Sequence, residues 1–227
     1  MNKDTYTWSY SSLGLFQQCP HKYYRVRVKQ DIREPPTEAI RYGLMMHKAA
    51  EDYIGAGVDL PPHLEYLRPA LDKLTSYPGD KHCEYKMALT RKLEPCGFDS
   101  PEAWWRGIAD LLIVDGDSAR IVDYKTGKSA KYADTKQLEL LSLATFKYFP
   151  QVKRTKCALL FVVSKELVSA NYTVDNSEKY WARWIPETVL LEKSFEADVW
   201  NPRPNFTCRK WCPVKDCAHN GGSAYGA

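Results

Sequence analysis

Apolar residues recur along this chain first at helical spacing, then in alternating or continuous runs, then at helical spacing again. Near the start, Ser11 or Ser12 can cap a helix running through Leu15, Phe16 and Cys19, within a helical stretch of about residues 9–30. Leu44, His47, Glu51 and Ile54 fall on one stripe of a second helix, roughly Ile40–Ile54. A third helix over Leu64–Leu74 follows the break at Pro61-Pro62, and Pro69 either kinks it or sets its true start. A strand near Cys83–Leu89 comes next. A helix over Thr135–Phe149 is ended by Pro150, and the β-rich run Cys157–Val163 pairs with a second run near Leu167–Val174. A late helix, about Glu187–Trp200, carries the chain to a cysteine-rich segment over about 200–220. Strands in the middle with helices before and after predict an α/β fold, a central mixed β-sheet flanked by helices.

Between the first strand and the helix near Thr135 lies the segment from Gly107 to Lys128, GIADLLIVDGDSARIVDYKTGK, which reads as a β-hairpin. Ile108–Val114 and Ala119–Lys125 are its strands, and Asp115-Gly116-Asp117-Ser118 supplies turn chemistry. A turn centred between Gly116 and Asp117 pairs positions whose numbers sum to 233, so Asp110 faces Asp123. Opposed residues of an antiparallel pair share a face, with Cβ atoms about 4.5–5.5 Å apart. Lys125 points the same way as Asp123, and Tyr124 the other way, because strand side chains alternate. Ile108 and Leu112 flank Asp110, so two carboxylates and an ammonium project from an apolar surface. Carboxylates so placed repel, and a hard divalent cation resolves the conflict, since Mg²⁺ is commonly held by one or two carboxylates. A solvated hairpin with surface charges is the plainer alternative. Glu84, on the strand just before, either adds a further carboxylate or faces solvent.

The arrangement D-(x)12-D-x-K resembles the signature of the PD-(D/E)XK nuclease superfamily. The order His47, Asp110, Asp123-Tyr124-Lys125, Gln137 is similar to the RecB-type branch, which includes the exonuclease of CRISPR adaptation modules and related phage exonucleases. The resemblance implies a restriction-endonuclease-like core and a Mg²⁺ or Mn²⁺ site. Its ligands would be His47, Asp110, Asp123 and the backbone carbonyl of Tyr124, with Glu84 as a further candidate. Asp110, Asp123, Lys125 and Gln137 would carry catalysis. Gln137 opens QLELLSLA, similar to the family's Gln-Leu-x-Leu-Tyr, with Leu141 where tyrosine is usual. Without the resemblance, His47 reads as a core histidine and Gln137 as an ordinary helix position. The activity implied is a DNA exonuclease of bacterial or phage recombination, repair or replication. Alternatives are a structure- or site-specific endonuclease on the same fold, or a non-catalytic DNA-binding module.

Seven cysteines, an odd number, argue against a disulfide framework. Cys208, Cys212 and Cys217 cluster in CRKWCPVKDC, and Cys19 lies far upstream in QQCPHKYY. One N-terminal and three C-terminal cysteines resemble the iron–sulfur staple of some family members, implying a [4Fe–4S] cluster that joins the two chain ends. A structural zinc site of Cys208, Cys212, Cys217 and His219 is the competitor. Cys83, Cys96 and Cys157 read as small core residues.

Composition adds bounds. The 227 residues, 44% of them hydrophobic, fit one domain spanning 1–227 with its core at about 38–175. Pro35-Pro36 and Gly55–His63 then read as loops, and GGSAYGA as a frayed tail. A net charge of +4 permits nucleic-acid binding without demanding it. No apolar run approaches the ~18–20 residues that cross a bilayer, and MNKDTYTWSYSS lacks a signal-peptide core. The expectation is a cytoplasmic protein whose partner is DNA. A homo-oligomer or a recombination or replication partner is compatible with this reading.

Overall fold

A computed structural model describes residues 6–33 and 35–221; all but the first residue of the GGSAYGA tail lies outside them. The chain divides into two compact units, Pro36–Ala182 and a terminal unit made of the described residues up to Pro35 and from Arg183 onward.

The larger unit opens with helix α3 (Glu38–Ala56), which follows two helical segments of the terminal unit. The side chain of Thr37 accepts the Ile40 N–H at its start, and Gly57 ends it with a left-handed φ of 67°. A 3₁₀ turn over Pro62–Leu67 runs into α4 (Arg68–Ser76), where Pro69 stands in the first turn and its missing N–H costs nothing. Then come strands β1 (Asp80–Leu89), β2 (Pro95–Cys96), β3 (Trp105–Asp115) and β4 (Ser118–Lys125). Helix α5 (Lys136–Tyr148) and strands β5 (Arg154–Phe161) and β6 (Glu166–Thr173) complete a six-stranded sheet of order β2-β1-β3-β4-β5-β6. The pair β4–β5 is parallel and joined by the crossover α5, and every other pair is antiparallel. This is the mixed sheet flanked by helices that the chain pattern predicts. On one face α3 and α4 bury Met46, Ala50, Leu71 and Leu74 against Leu111, Ile113, Val122 and Tyr124.

The hairpin has the expected register, from Leu111 opposite Val122 to Asp115 opposite Ser118. Gly116, at φ 57°, takes the left-handed position that a two-residue hairpin turn needs.

In the terminal unit, α1 (Tyr10–Gln18) is capped by Ser9, not by Ser11 or Ser12. Ser9 and Ser12 bond each other's backbone N–H reciprocally, so Ser12 is the third helical residue rather than the cap. Helix α2 (Pro20–Tyr23) continues into a π-helical turn over Tyr24–Val28. Phe16, Tyr23, Phe195 and Trp200 form an aromatic cluster with centroid spacings of 4.9–6.3 Å. Arg25 bridges Asp31 at 2.8 Å and Asp216 at 2.9 Å, tying the two chain ends within this unit.

Two further expectations are corrected. Helix α6 runs from Ser177 to Ala197, starting well before Glu187, with Pro186 inside it. An internal proline costs a helix about 3 kcal/mol, and burial of Trp181, Trp184 and Leu191 along α6 offsets that. The predicted stripe of α3 is covered only in part: Leu44 is 65% exposed while Ile54 packs against the core, and Met46 and Ala50, off that stripe, are fully covered.

Candidate active site

The site lies where three neighbouring strands leave regular pairing. In the β1–β3 ladder Cys83 faces Leu111 and Tyr85 faces Ala109, so Glu84 falls opposite Asp110, yet this pair is missing from the ladder. Glu84 has a φ of 47°. A left-handed backbone costs an L-residue roughly 1–2 kcal/mol, and such strain gathers at functional sites.

The kink changes which way each strand faces. Cys83 and Leu111 pack with the α3 cluster. Tyr85 meets Tyr148 at 6.1 Å, and Met87 accepts from Thr145 of α5. Alternation therefore slips by one residue at Glu84 and Asp110, and both carboxylates turn toward α3. The expected flanking of Asp110 by Leu112 is overturned by this slip.

On α3, His47 meets both carboxylates. Its Nδ1 is 3.4 Å from Asp110 Oδ1 and 3.8 Å from Glu84 Oε1. Asp110 Oδ2 accepts the backbone N–H of Tyr124 at 2.7 Å, filling the gap where the β3–β4 ladder stops. The Tyr124 ring meets His47 edge-on at 5.8 Å. One ligand atom each from His47, Glu84 and Asp110 lies within 4.8 Å of the others. Two carboxylates and an imidazole fit Mg²⁺ or Mn²⁺, the nitrogen favouring Mn²⁺.

Asp123 is buried, and Lys125 Nζ lies 2.6 Å from its Oδ2. Both alternate with Val122 and Tyr124, so they leave the strand on the side away from the α3 cluster. Asp110 and Asp123 thus do not stand side by side on one face: Asp123 lies outside the group of His47, Glu84 and Asp110 and feels Asp110 through its charge. Burial, reinforced by the charge of Asp110 and opposed by Lys125, pushes the Asp123 carboxyl up to about 6. The hydrogen bond to Asp110, then that to Glu84, pushes His47 up to about 10 against the effect of burial. Burial also raises the Tyr124 phenol. The metal-free group is thus a proton-holding cluster, with the negative charge of its carboxylates partly neutralised.

Gln137 stands half-buried on the first turn of α5. Among the described residues no hydrogen bond joins it to the acidic group. The Tyr124 amide as partner of Asp110 is the feature that sequence reasoning missed, because a backbone donor leaves no residue-type signal. Glu84 needed the β1–β3 register, which no short-range pattern encodes.

Comparison with known proteins gives the family of the chain. The family profile of the PD-(D/E)XK nuclease superfamily matches residues 7–93 and 82–217. The chain belongs to that superfamily. Among solved structures, a candidate exonuclease from Eubacterium rectale is similar in fold, with a TM-score of 0.54 and 10% identity over 96% of this chain and 87% of that one. A second, SSO0001, has a TM-score of 0.42 and 12% identity over 94% of this chain and 87% of that one. No curated protein matches by sequence.

In the terminal unit Cys19, Cys208, Cys212, Cys217 and His219 line one small pocket. Cys19 Sγ accepts the Arg203 N–H at 3.4 Å, and Cys208 Sγ accepts the Asn205 N–H at 3.5 Å. Among the described residues, no three ligand atoms of this set lie within 4.8 Å of one another. Sulfurs bound to one tetrahedral zinc stand about 3.8 Å apart, given Zn–S near 2.3 Å. Elsewhere, Cys157 is buried against Ser142, and Cys83 is half-buried against the α3 cluster.

Proposed function

We propose that this chain is a Mg²⁺- or Mn²⁺-dependent DNA exonuclease of the RecB-like branch, acting in bacterial or phage recombination, repair or replication. The observation that carries the reading is the convergence of Glu84, Asp110 and His47 where both ladders around Asp110 are interrupted. Repulsion between carboxylates and a left-handed backbone are costs that a folded protein retains where they serve a ligand.

His47, Glu84, Asp110, Asp123 and the Tyr124 carbonyl would hold the metal. A metal ion held there would supply a water of lowered pKa and charge neutralisation at the scissile phosphate. His47 has to give up its proton to ligate through nitrogen. Lys125, anchored 2.6 Å from Asp123, orients the attacking water and stabilises negative charge developing on the phosphate. Gln137 contributes to the DNA contact from the start of α5. Cytoplasmic location follows from action on bacterial or phage DNA. Among the described residues no helix is long and apolar enough to cross a membrane.

The four cysteines of the terminal unit form the second part of the proposal, as ligands of a [4Fe–4S] cluster. Four thiols around one pocket, two of them accepting backbone N–H groups, support it. Their wider spacing disfavours a closed zinc site.

The deciding experiment is digestion of end-labelled linear single- and double-stranded DNA, and of closed circular DNA, with each divalent metal. Mononucleotide release from linear substrates with circles spared is the expected result. Cutting of circles would make the enzyme an endonuclease.

A further inference from the structure

Tyr132 is 87% exposed, the most exposed large apolar or aromatic side chain among the described residues. It sits in the loop of residues 126–135, which leaves β4 directly after Lys125 and leads into α5. In the parallel pair β4–β5, Lys125 lies beside Phe161, so this loop passes over the carboxyl ends of both strands. In open α/β sheets that rim is where ligands bind.

The loop is fastened at three places. Thr126 Oγ1 stands 3.8 Å from where a side chain at Gly43 of α3 would begin, one helical turn before His47. A side chain at Gly127 would begin 3.5 Å from the Phe161 ring. Beyond that, Glu166 accepts the Ala130 N–H at 2.8 Å. The next two residues, Lys131 and Tyr132, project into solvent, and Lys128 is exposed as well. Lys131 Nζ lies 5.3 Å from the centroid of the Tyr132 ring. A ring has two faces, so a cation near one leaves the other open.

We infer that Tyr132 is a stacking platform for one base of the DNA strand entering the site, with Lys128 and Lys131 holding the flanking phosphates. The inference rests on the nuclease reading and adds the form of substrate: a base must be unstacked to lie on a ring. The enzyme therefore engages a single-stranded end. Stacking needs no particular base, since every base offers a π-face.

The test measures binding of a single-stranded oligonucleotide containing 2-aminopurine, in the Asp123→Ala background so that nothing is cut. Tyr132→Ala should weaken binding roughly tenfold and abolish the fluorescence change, while Tyr132→Phe keeps both. An oligonucleotide with an abasic residue at the stacked position should bind equally to the parent and to the Tyr132→Ala variant. The idea is overturned if Tyr132→Ala binds normal DNA as tightly as the parent, or if Tyr132→Phe loses as much as Tyr132→Ala. Cleavage separates this failure from that of the nuclease reading. DNA cut by wild type but not by Asp123→Ala keeps the nuclease assignment whatever Tyr132 does. If wild type cuts nothing in either metal, the binding series still decides the stacking.

Discussion

Glu84 stands opposite Asp110 in the β1–β3 register, with a left-handed backbone at the position where the ladder is broken. Regular pairing would keep Asp110 in alternation with Leu111, which packs under α3. The break lets both carboxylates reach His47 while Ala109 and Leu111, on either side of Asp110, stay buried. Local strain is thus the means by which a polar site is placed at the margin of an apolar core.

Glu84→Gly is expected to stabilise the metal-free protein by at most roughly 1 kcal/mol, because glycine adopts positive φ freely while loss of one of the two carboxylates that hold the His47 proton works against that gain. The same change should weaken Mn²⁺ binding and slow cleavage. Thermal melts in EDTA beside calorimetric Mn²⁺ titrations would show the two effects in opposite directions. If Glu84→Gly instead melts lower than wild type, Glu84 holds β1 in place rather than serving the site.

Lys125→Ala should abolish cleavage yet leave metal affinity about unchanged, since the ammonium contacts Asp123 and is not itself a ligand. Asp123→Asn should also abolish cleavage, but it removes a buried anion whose carboxyl is held at about 6. At pH 8 the metal-free variant should melt higher than wild type, by on the order of 1–2 kcal/mol. At pH 5, where the native carboxyl is largely protonated, the gap should close. Wild-type turnover in both variants would sink the assignment of these residues.

The His47 site predicts a pH dependence of stability. The folded protein holds the imidazole proton up to about 10, against an ordinary value of 6.5. That contribution is complete below pH 6.5 and is lost as pH rises through about 10. Asp123 acts in the same direction at lower pH: its raised carboxyl makes stability fall as pH rises from 3.8 to about 6. Relative to a variant carrying His47→Ala and Asp123→Asn, metal-free wild type should therefore lose stability as pH rises from 4 to 9. Stabilisation by added Mn²⁺ should instead grow with pH, because the ion competes with the His47 proton. In His47→Ala, activity should fall most in Mg²⁺ and recover partly in Mn²⁺. An unchanged rate with a lower melting temperature would make His47 a packing residue.

Protein purified without oxygen should be brown and contain iron and acid-labile sulfide. Cys19→Ser or Cys212→Ser should lose the colour and melt lower, since a cross-link between distant segments removes entropy from the unfolded chain. Cys83→Ser should keep the colour, because that thiol packs against the α3 cluster, outside the cysteine pocket. One zinc and no iron, with Cys19→Ser unaffected, would favour the local site of Cys208, Cys212, Cys217 and His219.

From sequence alone, the hairpin register, the turn at Gly116 and the succession of helices and strands could be read. Each depends on neighbours a few residues apart: turn chemistry sets pairing, and periodicity sets which elements form. Nearest-neighbour rules were silent where distant segments meet. Alternation placed Leu112 beside Asp110, and only the pairing of β1 with β3 shows the slip that moves it away. Spacing puts Leu44 on one stripe with Ile54, yet α3 leaves Leu44 exposed and covers Met46 and Ala50, because the sheet decides which part of a helix loses water. Pro186 looks incompatible with a helix interior until the tryptophans buried along α6 are counted. The motif residues were legible because chemistry restricts residue type. Their geometry was not, because it depends on which strands lie beside one another.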